Sequence, residues 1–369
     1  MEVKCSDAYI ALMGRPTSRI PHWEHMSNPD FVTYASGIDY YDKPRSACLK
    51  VQEMYGIDMG FGAPGSDDPV RKHEILEKDS IIDEHGRARV RWGDGLSSVW
   101  DWGKRFHSIE EVLAYEPLKN LDMSDAAKMP VVENRDYSPN EEDFYLACKK
   151  HHPRDNATPG EATCTGFYNT MFMWPLLTFG WELFLELAGG YHEELKRLMD
   201  DFAVINRKVF KAYARLPVNF AILHDDICMA RGPVCSPAWL RKFIYPYYEE
   251  WFSIFHAGGK RVIFMSDGNI DLVADDVAAC GADGFVSEPF TDWKAVARKH
   301  PDKCVCGEGD NRILSTKDPI AIEKMVRSMV ETAKMAGGYF MCVGNHIPWN
   351  VPPEGVKTYF DLCKELAHR

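Results

Sequence analysis

Scarcity narrows the field first. Positive charge is in deficit: 43 lysines and arginines stand against 55 aspartates and glutamates, a formal net charge of -12. A nucleic-acid partner needs a basic face, so this balance points to proteins and small molecules instead. A cysteine framework is missing too. The 11 cysteines are scattered, odd in number, and set in a chain too long to need disulfides, so a reducing cytoplasm is the expected compartment. The opening Met-Glu-Val-Lys-Cys-Ser-Asp lacks the basic flank and apolar core of a signal peptide. Long uncharged apolar runs are also lacking. The best candidate, Met171 to Gly190, carries Pro175, Glu182 and Glu186, which reads as a buried amphipathic helix and excludes a membrane span. Gly14, Gly258 and Gly259 form no phosphate-cradling spacing, so nucleotide cofactors find no support. No low-complexity tract, linker or sequence repeat divides the chain.

What is present suits an enzyme core. With 369 residues, 45% of them hydrophobic and 12% aromatic, the chain has the length of one α/β barrel with insertions, a single domain over residues 1–369. Its last third is the most regular. Arg261 to Asn269, Gly284 to Pro289, Lys303 to Asp310 and Gly338 to His346 are apolar runs that each end in polar residues, and Val218 to Ile227 ends in His224, Asp225 and Asp226. Helices are expected at Trp181 to Ala188, His192 to Ala214, Pro237 to Ala257, Ile270 to Ala279, Asp292 to His300, Asp318 to Ala336 and Pro353 to Ala367. Ser236-Pro237 and Asp318-Pro319 are start signals, and Gly258-Gly259 and Gly281 are stops. Strand, polar tip and helix in alternation predict a parallel sheet, and closure into a (β/α)8 TIM barrel gathers the tips on one face. Residues 1 to about 160 form an irregular elaboration, with a loop from Gly60 to Asp68, a turn from Asp94 into an aromatic strand, and a small hairpin pair at 80 to 100.

Several tip residues carry chemistry. Asp267, Glu288, Glu308 and His346 would line the mouth with oxygen and nitrogen ligands, and each has a structural reading beside it. Glu308 is a ligand or half of an ion pair; His346 a ligand or a hydrogen-bonded core histidine; Glu288 a ligand or a group behind the ligands. His224 and Asp226 suit substrate hydrogen bonding and catalysis better than metal. Alternation along a strand forbids Asp225 and Asp226 from pointing the same way. Cys304 and Cys306 share a strand face, but buried cysteine is ordinary core, and Cys306 stays a reserve ligand. Tyr168, Phe290 and Trp349 are core aromatics or walls for a planar substrate ring.

The chain resembles the uroporphyrinogen decarboxylase superfamily, and specifically its cobalamin-dependent methyltransferase branch. The matching stretches are Ala11 to Trp23, Gly180-Trp-Glu182, His224-Asp-Asp226 with Ser236-Pro237 and Tyr245 to Tyr248, Ser266 to Asn269, Glu288, Gly307 to Asp310 with Arg312 to Leu314, and Gly337-Gly338 with Ile347 to Pro352. The resemblance implies a closed barrel with its active site at the strand tips. Departures refine it. The arginine-rich motif that such decarboxylases carry after the first strand is replaced by His22 to Asp30, with no arginine, and Glu24 and Asp30 would repel a substrate of many carboxylates. Thiol-directed relatives bind zinc through a His-x-Cys pair and a last-strand cysteine; here Met265 and Asp267 fill the pair and Asn345 lies near the last position, one residue before His346. Carboxylate and imidazole ligands leave a harder ion that prefers an oxygen substrate. The resemblance therefore implies the first methyltransferase of an anaerobic corrinoid O-demethylase. Its Zn²⁺ would be held by Glu308 and His346 with Asp267 or Glu288, its donor would be a small molecule such as an aryl methyl ether, and its acceptor the cobalt(I) of a separate corrinoid protein. A metal-free decarboxylase, a methylcobalamin-to-thiol methyltransferase and a noncatalytic corrinoid or tetrapyrrole binder remain as alternatives.

Overall fold

Period-two apolar runs become strands, and in the computed structural model those strands build a (β/α)8 barrel. The structure describes residues 4–70, 80–82, 88–90, 99–100, 106–119, 140–152, 156–168 and 170–368. The strands that position the site are β1 (His25–Ser27), β2 (Cys164–Phe167), β3 (Phe220–His224), β4 (Arg261–Met265), β5 (Gly284–Val286), β6 (Cys304–Cys306), β7 (Gly338–Phe340) and β8 (His346–Pro348). Strands β2 to β7 pair in chain order as one parallel ladder, and β1 pairs with β8, His25 opposite His346. Parallel bridges from His22 to Met341 and from Trp23 to Met59 extend the sheet from the end of β7 through the segment before β1 to Met59. A three-stranded antiparallel sheet, Ser80–Ile82, Ala88–Val90 and Val99–Trp100, occupies the stretch expected to hold a hairpin pair. The turn expected from Asp94 falls outside the described residues.

Helices return the chain between strands at His192–Ala214, Tyr245–Ala257, Ala274–Ala279, Trp293–Lys299, Pro319–Met335 and Pro353–Leu366. The helix expected over Pro237 to Ala257 is two pieces, Pro237–Phe243 and Tyr245–Ala257. Pro246 has no N–H for the carbonyl of Lys242 and its ring clashes there, so Ile244 bends out at φ -118°. The apolar run from Met171 is likewise divided: Gly180, at φ +78°, separates Met173–Phe179 from Trp181–Gly190. No described helix is long and apolar enough to cross a membrane.

Strand alternation splits the core in two. Trp23, Phe220, Ile263, Val286, Cys304, Cys306, Phe340 and Cys342 fill the barrel, while Leu223, Val262, Phe264, Phe285, Val305 and Tyr339 pack outward against the helices. The helix Asp7–Leu12 closes the N-terminal end, inserting Ala8, Ala11 and Leu12 into the inner cluster. Only glycine fits where Gly338 crosses that helix, because a Cβ there would stand 1.8 Å from the Ala11 carbonyl oxygen.

At the opposite end, Asp225 follows β3 and is completely buried. Its carboxylate accepts the backbone N–H groups of Met171 (3.1 Å), Phe172 (2.9 Å) and Met173 (2.7 Å) and the Tyr248 hydroxyl (2.7 Å). Burial pushes this carboxyl up to about 6, and the donors pull it partly back. The Thr170 hydroxyl donates to the His224 carbonyl at 3.1 Å, so the segment after β2 is strapped across the tip of β3. Replacing the acceptor strands four donors in an apolar interior. Asp225→Ala is expected to cost about 3 kcal/mol or more, seen as a lower midpoint of urea unfolding, with a smaller loss for Asp225→Asn, which keeps one acceptor oxygen.

Candidate functional site

The alternation that buries Asp225 turns its neighbour the other way. Asp226 faces the mouth beside His224, and its carboxylate is held on three sides. Oδ1 accepts from His224 Nε2 (2.9 Å) and from the backbone N–H of Asp267 (2.8 Å), while Oδ2 accepts from the Tyr168 hydroxyl (2.9 Å). The Tyr168 ring meets the imidazole edge to face, centroids 4.5 Å apart. Asp226 titrates low: burial opposes ionisation, but the charge and hydrogen bond of His224 and the other donors outweigh it.

Asp267 leads off the tip of β4, and Asn345 governs it from the last strand. The Asn345 amide nitrogen stands 3.2 Å from both Asp267 oxygens. That placement fixes the amide: Nδ2 must face the carboxylate, so Oδ1 faces His346, accepting its backbone N–H at 2.8 Å and its ring Nδ1 at 2.9 Å. His346 therefore carries its proton on Nδ1 and a lone pair on Nε2. Burial, followed by the charges of Asp226 and Glu288, pushes Asp267 up to about 7. Glu288 also titrates high, chiefly through burial, although the Gly268 N–H donates to its Oε2 at 2.7 Å.

His224, Asp226 and Asp267 each offer a ligand atom, and those atoms all lie within 4.8 Å of one another. This trio joins Asp267 to two residues expected to serve substrate, and not to Glu308 and His346. Glu288 adjoins the trio electrostatically, and His346 reaches it through Asn345. Glu308 is placed elsewhere. Its Oε1 accepts from Ser328 on the helix Pro319–Met335 at 2.9 Å, and its Oε2 from Tyr339 of the outer layer at 3.0 Å. The cause is Gly307. At φ +124°, with a Cβ position only 1.7 Å from the Ser287 carbonyl oxygen, it ends β6 and rolls the next side chain out of the period that Cys304 and Cys306 follow. Cys306 stays inside the barrel, below the mouth.

Two members were not marked for these roles in the sequence. Asn345 is the hub between Asp267 and His346, and its signal was its position on the last strand tip beside a histidine. His25 was passed over, though its ring stands 5.9 Å from that of His346 across the first and last strands. Burial lowers the pKa of both imidazoles, with His224 adding to the effect on His25 and His25 to that on His346, which falls to about 4.

Comparison with known proteins agrees with this architecture. Residues 120–366 match the family model described as uroporphyrinogen decarboxylase (URO-D). A solved structure, a methyltransferase from Methanosarcina mazei, superimposes with a TM-score of 0.58 at 14% sequence identity, over 97% of this chain and 97% of that one, a likeness of fold. No curated protein matches the chain.

The low pKa of His346 has a pH signature. Its folded value, about 4, lies below the ordinary 6.5, so as pH falls the unfolded chain takes up the proton first. This imidazole therefore lowers stability progressively from 6.5 to about 4 and not above that window. In the metal-free protein its carbon NMR shifts are expected to report a neutral ring down to pH ~5, and His346→Phe should flatten the acid limb of the stability profile over the same window.

Proposed function

The chain belongs to the uroporphyrinogen decarboxylase family, and on that premise we propose that it is a zinc-dependent methyltransferase, taking methyl from an O-methyl donor and passing it to the cobalt(I) of a corrinoid protein. One observation carries the reading: an imidazole and two carboxylates from adjacent strand tips lie within 4.8 Å of one another in a mouth that holds a third carboxylate, Glu288. Among the described residues no lysine or arginine hydrogen-bonds to Asp226, Asp267 or Glu288. Clustered, largely buried negative charge with one imidazole beside it fits a divalent cation, and nitrogen with carboxylate oxygen is a donor set zinc accepts. The residues that would hold it are His224, Asp226 and Asp267. When bound, the cation supplies Lewis acidity toward the ether oxygen whose bond to methyl must break.

The surrounding side chains have definable tasks in this reading. Tyr168 and the Asp267 N–H keep Asp226 from rotating. Asn345 orients Asp267 and at the same time fixes the proton of His346 on Nδ1. Glu288, which burial makes easier to protonate than an ordinary carboxyl, holds the proton that the departing oxygen takes up. Residues 1–369 act as one catalytic unit, and the corrinoid protein docks over the mouth.

The alternatives meet opposing features. For a thiol acceptor, no cysteine belongs to the trio, and Met265 and Asp267 stand where a His-x-Cys pair would be needed. For a polycarboxylate substrate, the segment leading into β1 offers Glu24, fully buried and 3.0 Å from His22 Nε2, in place of arginine.

Elemental analysis of protein purified without chelator is expected to find about one zinc per chain. His224→Ala and Asp267→Ala should each lower occupancy by about tenfold or more at limiting metal, whereas Glu308→Ala should leave it unchanged. With an O-methyl arene and reduced cobalamin, the zinc-loaded protein should generate the methyl-cobalt absorption spectrum. Metal-free protein that still produces this spectrum would overturn the zinc assignment, and zinc-loaded protein inert toward every O-methyl donor would overturn the reaction.

A further inference from the structure

A cation does stand at the rim, between the turns that follow β5 and β6. Arg312 belongs to the short helix Asn311–Thr316, just past the turn that ends β6. Its guanidinium is fixed in two ways. One face lies over the Phe290 ring, 4.6 Å from the centroid, and the Phe290 carbonyl is itself held by the Asn269 amide at 2.8 Å. The Nε–Nη2 edge is occupied by Asp310, whose oxygens accept Nε at 3.0 and 3.1 Å and Nη2 at 2.7 Å, while Asp310 Oδ1 also caps the backbone N–H of Arg312 at 2.8 Å.

The third aspect of the fork is unused. Nη1 makes no hydrogen bond among the described residues, so the Nη1–Nη2 end is open, on a side chain that is 65% exposed. An exposed ion pair contributes little to folding, about 0 to 1 kcal/mol, which leaves stability as a weak reason for so constrained an arginine. A guanidinium whose face and side are already immobilised loses little further freedom on binding, and its free end has the spacing to grip a carboxylate through two parallel hydrogen bonds. The location connects it to the reaction site: the charge of Arg312 is felt at Glu288, and Glu288 in turn at Asp267.

We propose that Arg312, stacked on Phe290 and braced by Asp310, is the subsite for a carboxylate carried by the substrate, so that the methyl donor is a methoxylated aromatic acid and not a neutral methoxyarene. The aromatic part follows from the flanking rings, Phe290 beneath the guanidinium and Tyr168 beside the trio. The donor assignment rests on the methyl-transfer reading above; the anion subsite does not.

Titration calorimetry on the full-length, zinc-loaded protein tests the subsite, with para-methoxybenzoate and its neutral counterpart para-methoxybenzamide as the two probes. The acid should bind about tenfold tighter or more. Arg312→Met should erase that preference while leaving zinc content and melting temperature unchanged, and Arg312→Lys should restore only part of it, since an ammonium cannot form the paired contact. Equal affinity for acid and amide, no saturable binding of the acid, or a preference unchanged in Arg312→Met would each overturn the proposal. The two readings fail separately. A preference that depends on Arg312 in a protein that transfers no methyl group retains the anion subsite and removes the reaction; transfer from neutral ethers with no such preference does the reverse.

Discussion

Everything at the mouth depends on how the chain resolves two adjacent carboxylates at the end of β3. Asp225 is drawn into the outer layer by three backbone N–H groups and a tyrosine hydroxyl, an environment too rich in donors to leave unfilled and too dry to tolerate an unpaired charge. With that side chain committed outward, Asp226 has one direction left. The same contacts hold residues 171–173 against the strand tip, and the segment that carries Tyr168 arrives in place to donate to Asp226. A buried interaction behind the mouth thus sets the positions of two groups within it.

The electrostatic balance is the second constraint. Asp226 keeps its charge because His224, Tyr168 and a backbone N–H all face it, and Asp267, next to that charge and to Glu288, is pushed toward the neutral form. The acids differ through their neighbours and not through depth alone. Imidazoles complete the balance without adding positive charge: His25 and His346 confront each other across the first and last strands, burial disfavours protonation of both, and His25 adds to the effect on His346. What results is a mouth supplied with acceptors and lone pairs, with Arg312 beyond Glu288 at its rim.

Much of the barrel was legible in the residues, because its signals are local. Apolar runs ending in Asp267 and Glu288 marked strand tips, whereas the run from Gly338 to His346 is divided between β7 and β8, and Ser236-Pro237 and Asp318-Pro319 marked helix starts that the structure contains. The site was legible only in part. Asp225 and Asp226 had to diverge on alternation alone, but which of them faced inward depended on the donors waiting outside, which come from elsewhere in the chain. Glu308 departs from the period-two reading because Gly307, at φ +124°, breaks the side-chain alternation between it and the strand. Asn345 carries no charge and titrates nowhere, so its place between Asp267 and His346 appears only once the first and last strands are side by side. Pro246 was in plain view, yet whether a proline near a helix start begins a new helix or merely follows an old one is settled by packing.

The helix Asp7–Leu12, seated where Gly338 yields it room, makes the barrel a cul-de-sac. A small molecule that enters cannot leave by a back door, and a bulky protein arriving at the same aperture would imprison whatever is already inside. If two reactants meet there, their arrivals are compelled into sequence, the lesser first and the greater second, and the spent donor must wait for the protein to depart. Turnover in such a vessel would be timed by the lifting of its lid, and the lid would be another molecule.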